Sequence, residues 1–354
     1  MRSSRSFALF SFTLFFSLFS VVSLLLQNTS TNLLSLVLSS HFLFRLVLVG
    51  VGMVLFLFFP KNSFLEKGIF FFVLLILAYF VSFLSLFFVR DGNPRFYSEV
   101  ISPGLLLTSS SLLYLSEVID NDSITIEDVL LFSFIVSSVA LILFLLTDFA
   151  FLLISFITLS LLAFSFKFSF GIKVSLLSIL LIALSVVLFM TSTPFVNTFV
   201  DGLNVNKPFM TFYKKTEVSL SSSLSPFVFY EYATGEMIFS LLYRFKVHGA
   251  LILITLLFGL VILLYSTTSF VSKNGDEKRA RRNYGIAVLF SLMILFPLLS
   301  LSTSLPFFKC DLPFITPSNL NVFVEILLLS YVNVSLKNLP ISSQNKAELT
   351  ASEA

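Results

Sequence analysis

Tryptophan is absent from the 354 residues, cysteine occurs once and histidine twice. The single thiol, Cys310, excludes an internal disulfide and a cysteine-built metal site, and His41 and His248 are too few for a histidine cluster. Charge is scarce too: Asp, Glu, Lys and Arg make up 12% of the chain, against roughly 25% in a typical soluble protein. The missing tryptophan removes the usual aromatic anchor at a membrane surface. What is present is apolar. Hydrophobic residues reach 57%, phenylalanine alone occurs 47 times, and the mean hydropathy is +1.00. This composition excludes an ordinary soluble domain and indicates a polytopic membrane protein. The phenylalanine excess matches a coding bias toward Phe, Leu and Ser, and is read as lipid-facing and packing material.

A bilayer core of about 30 Å requires about 20 apolar residues per helix. Ten runs qualify, near 7–26, 41–59, 69–89, 103–119, 129–147, 149–166, 172–192, 249–269, 284–303 and 319–336. Only Thr147 and Asp148 separate the fifth from the sixth. The first run, behind Arg2 and Arg5, begins like a signal peptide, but no small-x-small site follows and it is long enough to span. The expected fold class is therefore all-α, a polytopic membrane helix bundle of about ten transmembrane helices. It forms one domain over 1–340, followed by a disordered cytoplasmic tail over 341–354.

Ten spans place both termini on one side, and the positive-inside rule chooses which. With the N-terminus inside, the inner segments carry thirteen basic residues: Arg2, Arg5, Lys61, Lys67, Lys167, Lys173, Lys273, Lys278, Arg279, Arg281, Arg282, Lys337 and Lys346. The short outer loops keep four, Arg45, Arg90, Arg95 and Lys309. The expected location is the cytoplasmic membrane, with both termini cytoplasmic. The basic cluster 278–282 is assigned to topology and to anionic lipid headgroups. The long outer segment 193–248 holds Lys214, Lys215, Glu231 and Glu236, and its end, about 235–248, reads as a short helix at the membrane face.

Between the last two spans lies LPFFKCDLPFITPSNLN, residues 305–321, with Pro306, Pro313 and Pro317 beside Lys309, Asp311 and Thr316. Proline breaks helices, and non-helical backbone at membrane depth is tolerated only inside protein or along a wet cavity. The segment is either an external loop or the wall of a site. Inside the span that follows, Glu325 is expected to face the bundle, as a partner for a buried Arg or Lys.

Five stretches in order resemble the SEDS proteins (shape, elongation, division and sporulation), the family of FtsW and RodA. Leu305 to Asn321 lies without a gap on the family's last loop, roughly LPxTGxxLPFxSYGGSS, with Pro306, Leu312, Pro313, Phe314 and Thr316 identical or close. Residues 41–58, with Arg45 near the start, resemble the second span. DGNPRF at 91–96 resembles NGxRRW, LTDFA at 146–150 resembles QPDxG, and EYATGEMIF at 231–239 resembles PExHTDFIF. The chain departs from the pattern at three places. Ser318 and Asn319 stand where the family has tandem glycines, and Leu105 and Thr108 where it has a fourth-span glutamate and lysine. The family aspartate of TDFIF falls on Gly235, or on Glu236 after a one-residue shift.

The resemblance implies a peptidoglycan glycosyltransferase that polymerises lipid II, a lipid-linked disaccharide, at the outer membrane face. A carboxylate takes the proton of the attacking sugar hydroxyl, and cations hold the pyrophosphate leaving group. On that reading Glu236 is the candidate base and Glu231 the second candidate. Arg95, Asp148, Lys214, Lys215, Lys309 and Asp311 are the candidate substrate-binding residues. The residues alone leave Glu236 open as a carboxylate at a helix N-terminus, and Lys309 and Asp311 as a pair with each other. The implied partner is a class B penicillin-binding protein or another division or elongation protein, in contact with membrane lipid and without nucleic acid. No resident cofactor is implied; a divalent cation stays open beside the pyrophosphate. Two other functions stay open as well. One is a catalytically inactive scaffold or lipid II-binding protein. The other is a transporter or flippase, which the lack of half-chain repeats disfavours.

Overall fold

The structure, a computed structural model, describes residues 2–27, 40–58, 68–87, 102–120, 124–146, 148–174, 237–300, 310–316 and 318–338, with positions 178 and 181 besides. Nine helices lie among them: α1 (Arg2–Gln27), α2 (Ser40–Phe58), α3 (Gly68–Phe87), α4 (Pro103–Val118), α5 (Ile126–Leu145), α6 (Phe149–Ser165), α7 (Met237–Lys273), α8 (Glu277–Ser300) and α9 (Asn319–Lys337). The described residues are all-helical apart from turns and one isolated bridge, Leu312 to Ile315. Each helix covers one expected span. The tenth expected span, 172–192, lies mostly outside the described residues, as do 193–236 and the tail 341–354. The segment from Met237 to His248 is not a separate short helix. It is the first part of α7, which runs unbroken to Lys273.

Two helices form the centre. Within their apolar windows 72% of α8 and 78% of α9 is buried, against 28–33% for α1, α3, α5 and α7. The outer four therefore present most of their surface to lipid. The central α8 packs on α4, α6 and α7, while α9 packs on α1 and α2. Rings of Phe16, Phe290 and Phe314 meet at 5.6 and 6.3 Å, joining α1 and α8 to the segment before α9.

The fourth helix differs from the rest. Its 16 residues reach about 24 Å at 1.5 Å per residue, short of the hydrocarbon thickness, and twelve of them are buried. Serines and a threonine fill its middle. Most of them bond back onto the helix, Thr108 Oγ1 to Gly104 O at 2.7 Å, Ser110 to Leu107 O at 3.2 Å and Ser116 to Leu113 O at 2.9 Å, while the buried Ser111 hydroxyl has no hydrogen-bond partner. In lipid every polar group needs such an internal partner.

Charge divides between the two ends of the bundle. At one end, ion pairs join Lys167 to Glu277 (3.3 Å), Lys278 to Glu117 (3.1 Å) and Arg279 to Asp276 (3.0 Å), and Arg5 stacks on Phe270 at 4.3 Å. Arg281 and Arg282 turn inward, contrary to a purely headgroup role. Arg281 lies 5.1 Å from the Phe166 ring centre, and Arg282 lies 5.3 Å from that of Tyr331 and donates to Ser335 Oγ. Their position one helical turn into α8 points them at α4, α6 and α9 rather than at the membrane surface.

Candidate functional site

The opposite end of the bundle is built around Arg45. This side chain, on the first turns of α2, is fully buried. Its Nε donates to Asn319 Oδ1 at 2.7 Å, Nη2 to Thr316 O at 2.8 Å and Nη1 to Ser20 O at 3.3 Å. One planar guanidinium therefore ties α1, α2, the last loop and the start of α9 together, using the fixed fork of donors that arginine offers and lysine does not. The charges of Glu325 and Asp311 both act on it.

Glu325, one and a half turns into α9, points back at the loop. Its Oε2 accepts from Phe314 N at 2.6 Å, while Oε1 is buried without a hydrogen-bond partner. Phe314 sits at φ 63°, in the left-handed region that non-glycine residues seldom adopt. The conformation reverses the chain so that Ile315 N reaches Leu312 O at 3.0 Å. The Glu325 carboxylate and the stacked Phe16 and Phe290 rings hold it there, against a strain on the order of 1–3 kcal/mol. The described part of the last loop, 310–316, is thus folded into the bundle: Leu312, Phe314, Ile315 and Thr316 are all buried.

Asp311 accepts the Thr316 hydroxyl at 2.7 Å, and the Thr316 oxygen accepts from Ser318 N at 3.1 Å. Burial raises the Asp311 carboxyl to about 6, opposed by the Thr316 hydroxyl and the Arg45 charge. Asp148, between α5 and α6, caps α6 by accepting from Phe151 N at 3.2 Å. Burial raises it to about 6 also, opposed by the Phe151 amide and reinforced by the Asp311 charge. The Cys310 thiol is pushed up by burial first and then by Asp311 and Asp148. Among the described residues, three carboxylates and one guanidinium therefore share this end, although Asp148 and Asp311 lie far apart in sequence.

Glycine at 104 permits the approach. A Cβ there would stand 2.4 Å from Phe151 Cβ and 2.6 Å from Asp148 Oδ2. The start of α4 is docked from the other side, where Ser102 N donates to Asn321 Oδ1 at 2.8 Å.

Among the described residues no three His, Cys, Asp or Glu side chains gather as metal ligands.

Several solved structures share this fold. The crystal structure of the Thermus thermophilus rod shape determining protein RodA superposes over 95% of this chain and 97% of its own, with a TM-score of 0.58 at 15% identity. A variant of that protein with one aspartate replaced by alanine gives 0.56 over 92% of this chain and 95% of its own, also at 15% identity. The fold is that of RodA. A chain from a peptidoglycan synthase complex, solved for the coordination of polymerization and crosslinking, matches at 0.65 over 92% of this chain and 97% of its own, at 14% identity. No protein-family model and no curated protein matches the chain.

The RodA fold agrees with the SEDS resemblance of the sequence. Of the candidate residues, Asp148 and Asp311 are described; the Asp311 charge acts on Asp148, and both charges act on the Cys310 thiol. Glu231, Glu236, Arg95, Lys214, Lys215 and Lys309 lie outside the described residues. The departures from the family pattern take definite roles. Ser318 caps α9 by accepting from Asn321 N, and Asn319 receives Arg45, so side chains work where the pattern has glycines. Leu105 and Thr108 leave the inner side of α4 uncharged, with Thr108 bonded to Ser155 on α6. Sequence reasoning missed Ser102, Asn319 and Asn321. Single amides in a serine-rich chain carry no signal until a partner from a distant helix meets them.

Proposed function

We propose that the protein is a peptidoglycan glycosyltransferase of the SEDS type, polymerising lipid II at the outer face of the cytoplasmic membrane. The observation that supports it most is the RodA fold over nearly the whole chain, with Arg45, Asp148, Asp311 and Glu325 gathered at the end opposite the basic end. By the positive-inside rule the basic end is cytoplasmic. The carboxylate-rich end then faces outward. Glu236 acts as general base toward the attacking sugar hydroxyl, a role that contributes about 10² to 10⁴ in rate; Glu231 is the second candidate. Arg95, Lys214, Lys215 and Lys309 offer cations to the pyrophosphate, and Asp148 and Asp311 orient sugar hydroxyls. The partner on this reading is a class B penicillin-binding protein.

A second reading is a lipid II-binding scaffold without polymerase activity. It is favoured by Leu105 and Thr108, which replace the charged fourth-span pair of the family with buried uncharged groups. One assay separates the two. Purified protein in liposomes, with and without a penicillin-binding partner, receives labelled lipid II, and glycan polymer is resolved on gels. The first reading expects polymer that disappears in Glu236→Ala and survives in Glu231→Ala. Polymer that persists in Glu236→Ala removes that residue as the base, and no polymer with any partner favours the scaffold.

A further inference from the structure

At the basic end, a recess of 460 Å³ opens between α1, the end of α2 and the end of α9. Its chemistry is divided in two. Phe7, Phe10, Phe56 and Leu57 make an apolar wall, with Phe7 and Leu57 strongly exposed. Ser3, Ser6, Asn333 and Lys337 make the polar part. Asn333 and Lys337 are four residues apart on α9 and so share a face; Ser3, Ser6, Phe7 and Phe10 follow the same spacing on α1. Among the described residues no acidic side chain lines the recess.

The polar part is a built floor rather than scattered surface. Ser6 Oγ donates to Asn333 Oδ1 at 2.7 Å, and Asn333, 1% exposed, donates onward to Phe56 O at 3.4 Å. The Ser6 proton is thereby engaged, and its oxygen is left to accept from a donor entering the recess. Lys337 supplies a compact charge on a long stem at the rim, suited to a phosphate. An apolar wall continuous with the lipid-facing side, a hydroxyl-accepting floor and a cation at the rim match one molecule, a phospholipid lying with its chains along the bundle and its headgroup at the basic end.

We propose that this recess binds an anionic phospholipid with a hydroxyl-bearing headgroup from the leaflet at the basic end. Lys337 meets the phosphate, Ser6 accepts from the headgroup, and Phe7 and Phe10 line an acyl chain. The site lies at the far end of the bundle from Arg45, Asp148 and Asp311, so its occupancy is independent of the proposed transferase reading.

The test uses the full chain in detergent micelles doped with equimolar phosphatidylglycerol and phosphatidylcholine, with bound lipid counted by native mass spectrometry. The wild-type chain is expected to retain phosphatidylglycerol preferentially. Lys337→Gln should weaken that retention about fivefold, the effect of one basic residue at an anionic surface. Ser3→Phe, which changes no charge but fills the mouth, should weaken it as well. Lys273→Gln, at the same end but outside the recess, should leave it unchanged. Equal loss in Lys273→Gln and Lys337→Gln, or full retention in Ser3→Phe, overturns the site in favour of diffuse surface charge. Absence of any preference in the wild-type chain overturns it outright. Thermal unfolding of each variant in the same micelles guards against a loss due to misfolding.

Discussion

Arg45 binds three chain segments that meet nowhere else in the sequence, and its removal exposes how the site end is held. Arg45→Ala deletes bonds to Asn319, Thr316 and Ser20 and leaves Glu325 and Asp311 without their cation. Breaking a buried charge arrangement from one side costs about 3–5 kcal/mol. A large fall in the thermal midpoint in detergent is the expected result. The double variant Arg45→Met with Glu325→Met should recover part of it, because neither buried charge is then left alone; a double variant no better than Arg45→Ala would show that the three bonds, not the charges, matter. The acidic pair gives a pH signature. In the fold Asp148 and Asp311 titrate near 6, above their ordinary 3.8. The folded state therefore keeps protons between pH 4 and 6 that the unfolded state has released. Their contribution to stability falls as pH rises through that window and stays level above it. Asp148→Asn with Asp311→Asn should flatten this part of the profile, measured as thermal midpoint against pH. A double variant with the wild-type slope would contradict the raised values.

Between elements, the helix crossings depend on a few small residues. At Gly104 the atoms that a methyl would strike are Phe151 Cβ at 2.4 Å and Asp148 Oδ2 at 2.6 Å, close to the α6 backbone and unable to swing aside. At Gly285 the obstacle is the end of the Leu112 side chain, Cδ1 at 2.7 Å, which can change rotamer. Overpacking costs about 1–3 kcal/mol where neighbours cannot yield. Gly104→Ala should therefore lower the unfolding midpoint clearly more than Gly285→Ala, and it should also weaken the α6 cap by displacing Asp148. Equal effects at both positions would refute the rigid α4–α6 contact. The cap of α9 is a smaller term: Ser318→Ala should cost about 1 kcal/mol. These contacts explain what was legible beforehand. Hydropathy located the helices because every span must be apolar whatever its neighbours. It could not show that 237–248 continues into α7, because the polar residues Tyr243, Arg244, Lys246 and His248 interrupt the apolar pattern without interrupting the helix.

For the whole molecule, the separation of charge makes the orientation testable. Arg5, Lys167, Lys278 and Arg279 gather at one end and the Arg45 site at the other. If the basic end is cytoplasmic, a cysteine at the α7–α8 turn is reached only from inside. In a Cys310→Ser background, Asn274→Cys should resist an impermeant maleimide applied to intact cells and react after permeabilisation. Labelling of intact cells would invert the topology and move the proposed site to the wrong face for an outer substrate.

The amino-acid sequence by itself determined the class of solvent, the helical architecture and the resemblance to SEDS proteins. Those depend on composition, on runs long enough for a bilayer and on local motif order, all of which are properties of contiguous residues. It also marked Asp148, Asp311 and Glu325 as unusual, because an ionisable group beside or within an apolar span is costly wherever it points. Only the tertiary structure decided what those groups do to one another. The described part of the last loop, 310–316, is held in the bundle through Phe314 in its left-handed conformation, the Glu325 carboxylate and the Arg45 fork, contacts that join residues as far apart as 20, 45 and 319. The two positions where family glycines are missing turned out to cap α9 and to receive Arg45. No local pattern encodes such pairings, since they arise only when separate helices are brought to the same end of the bundle.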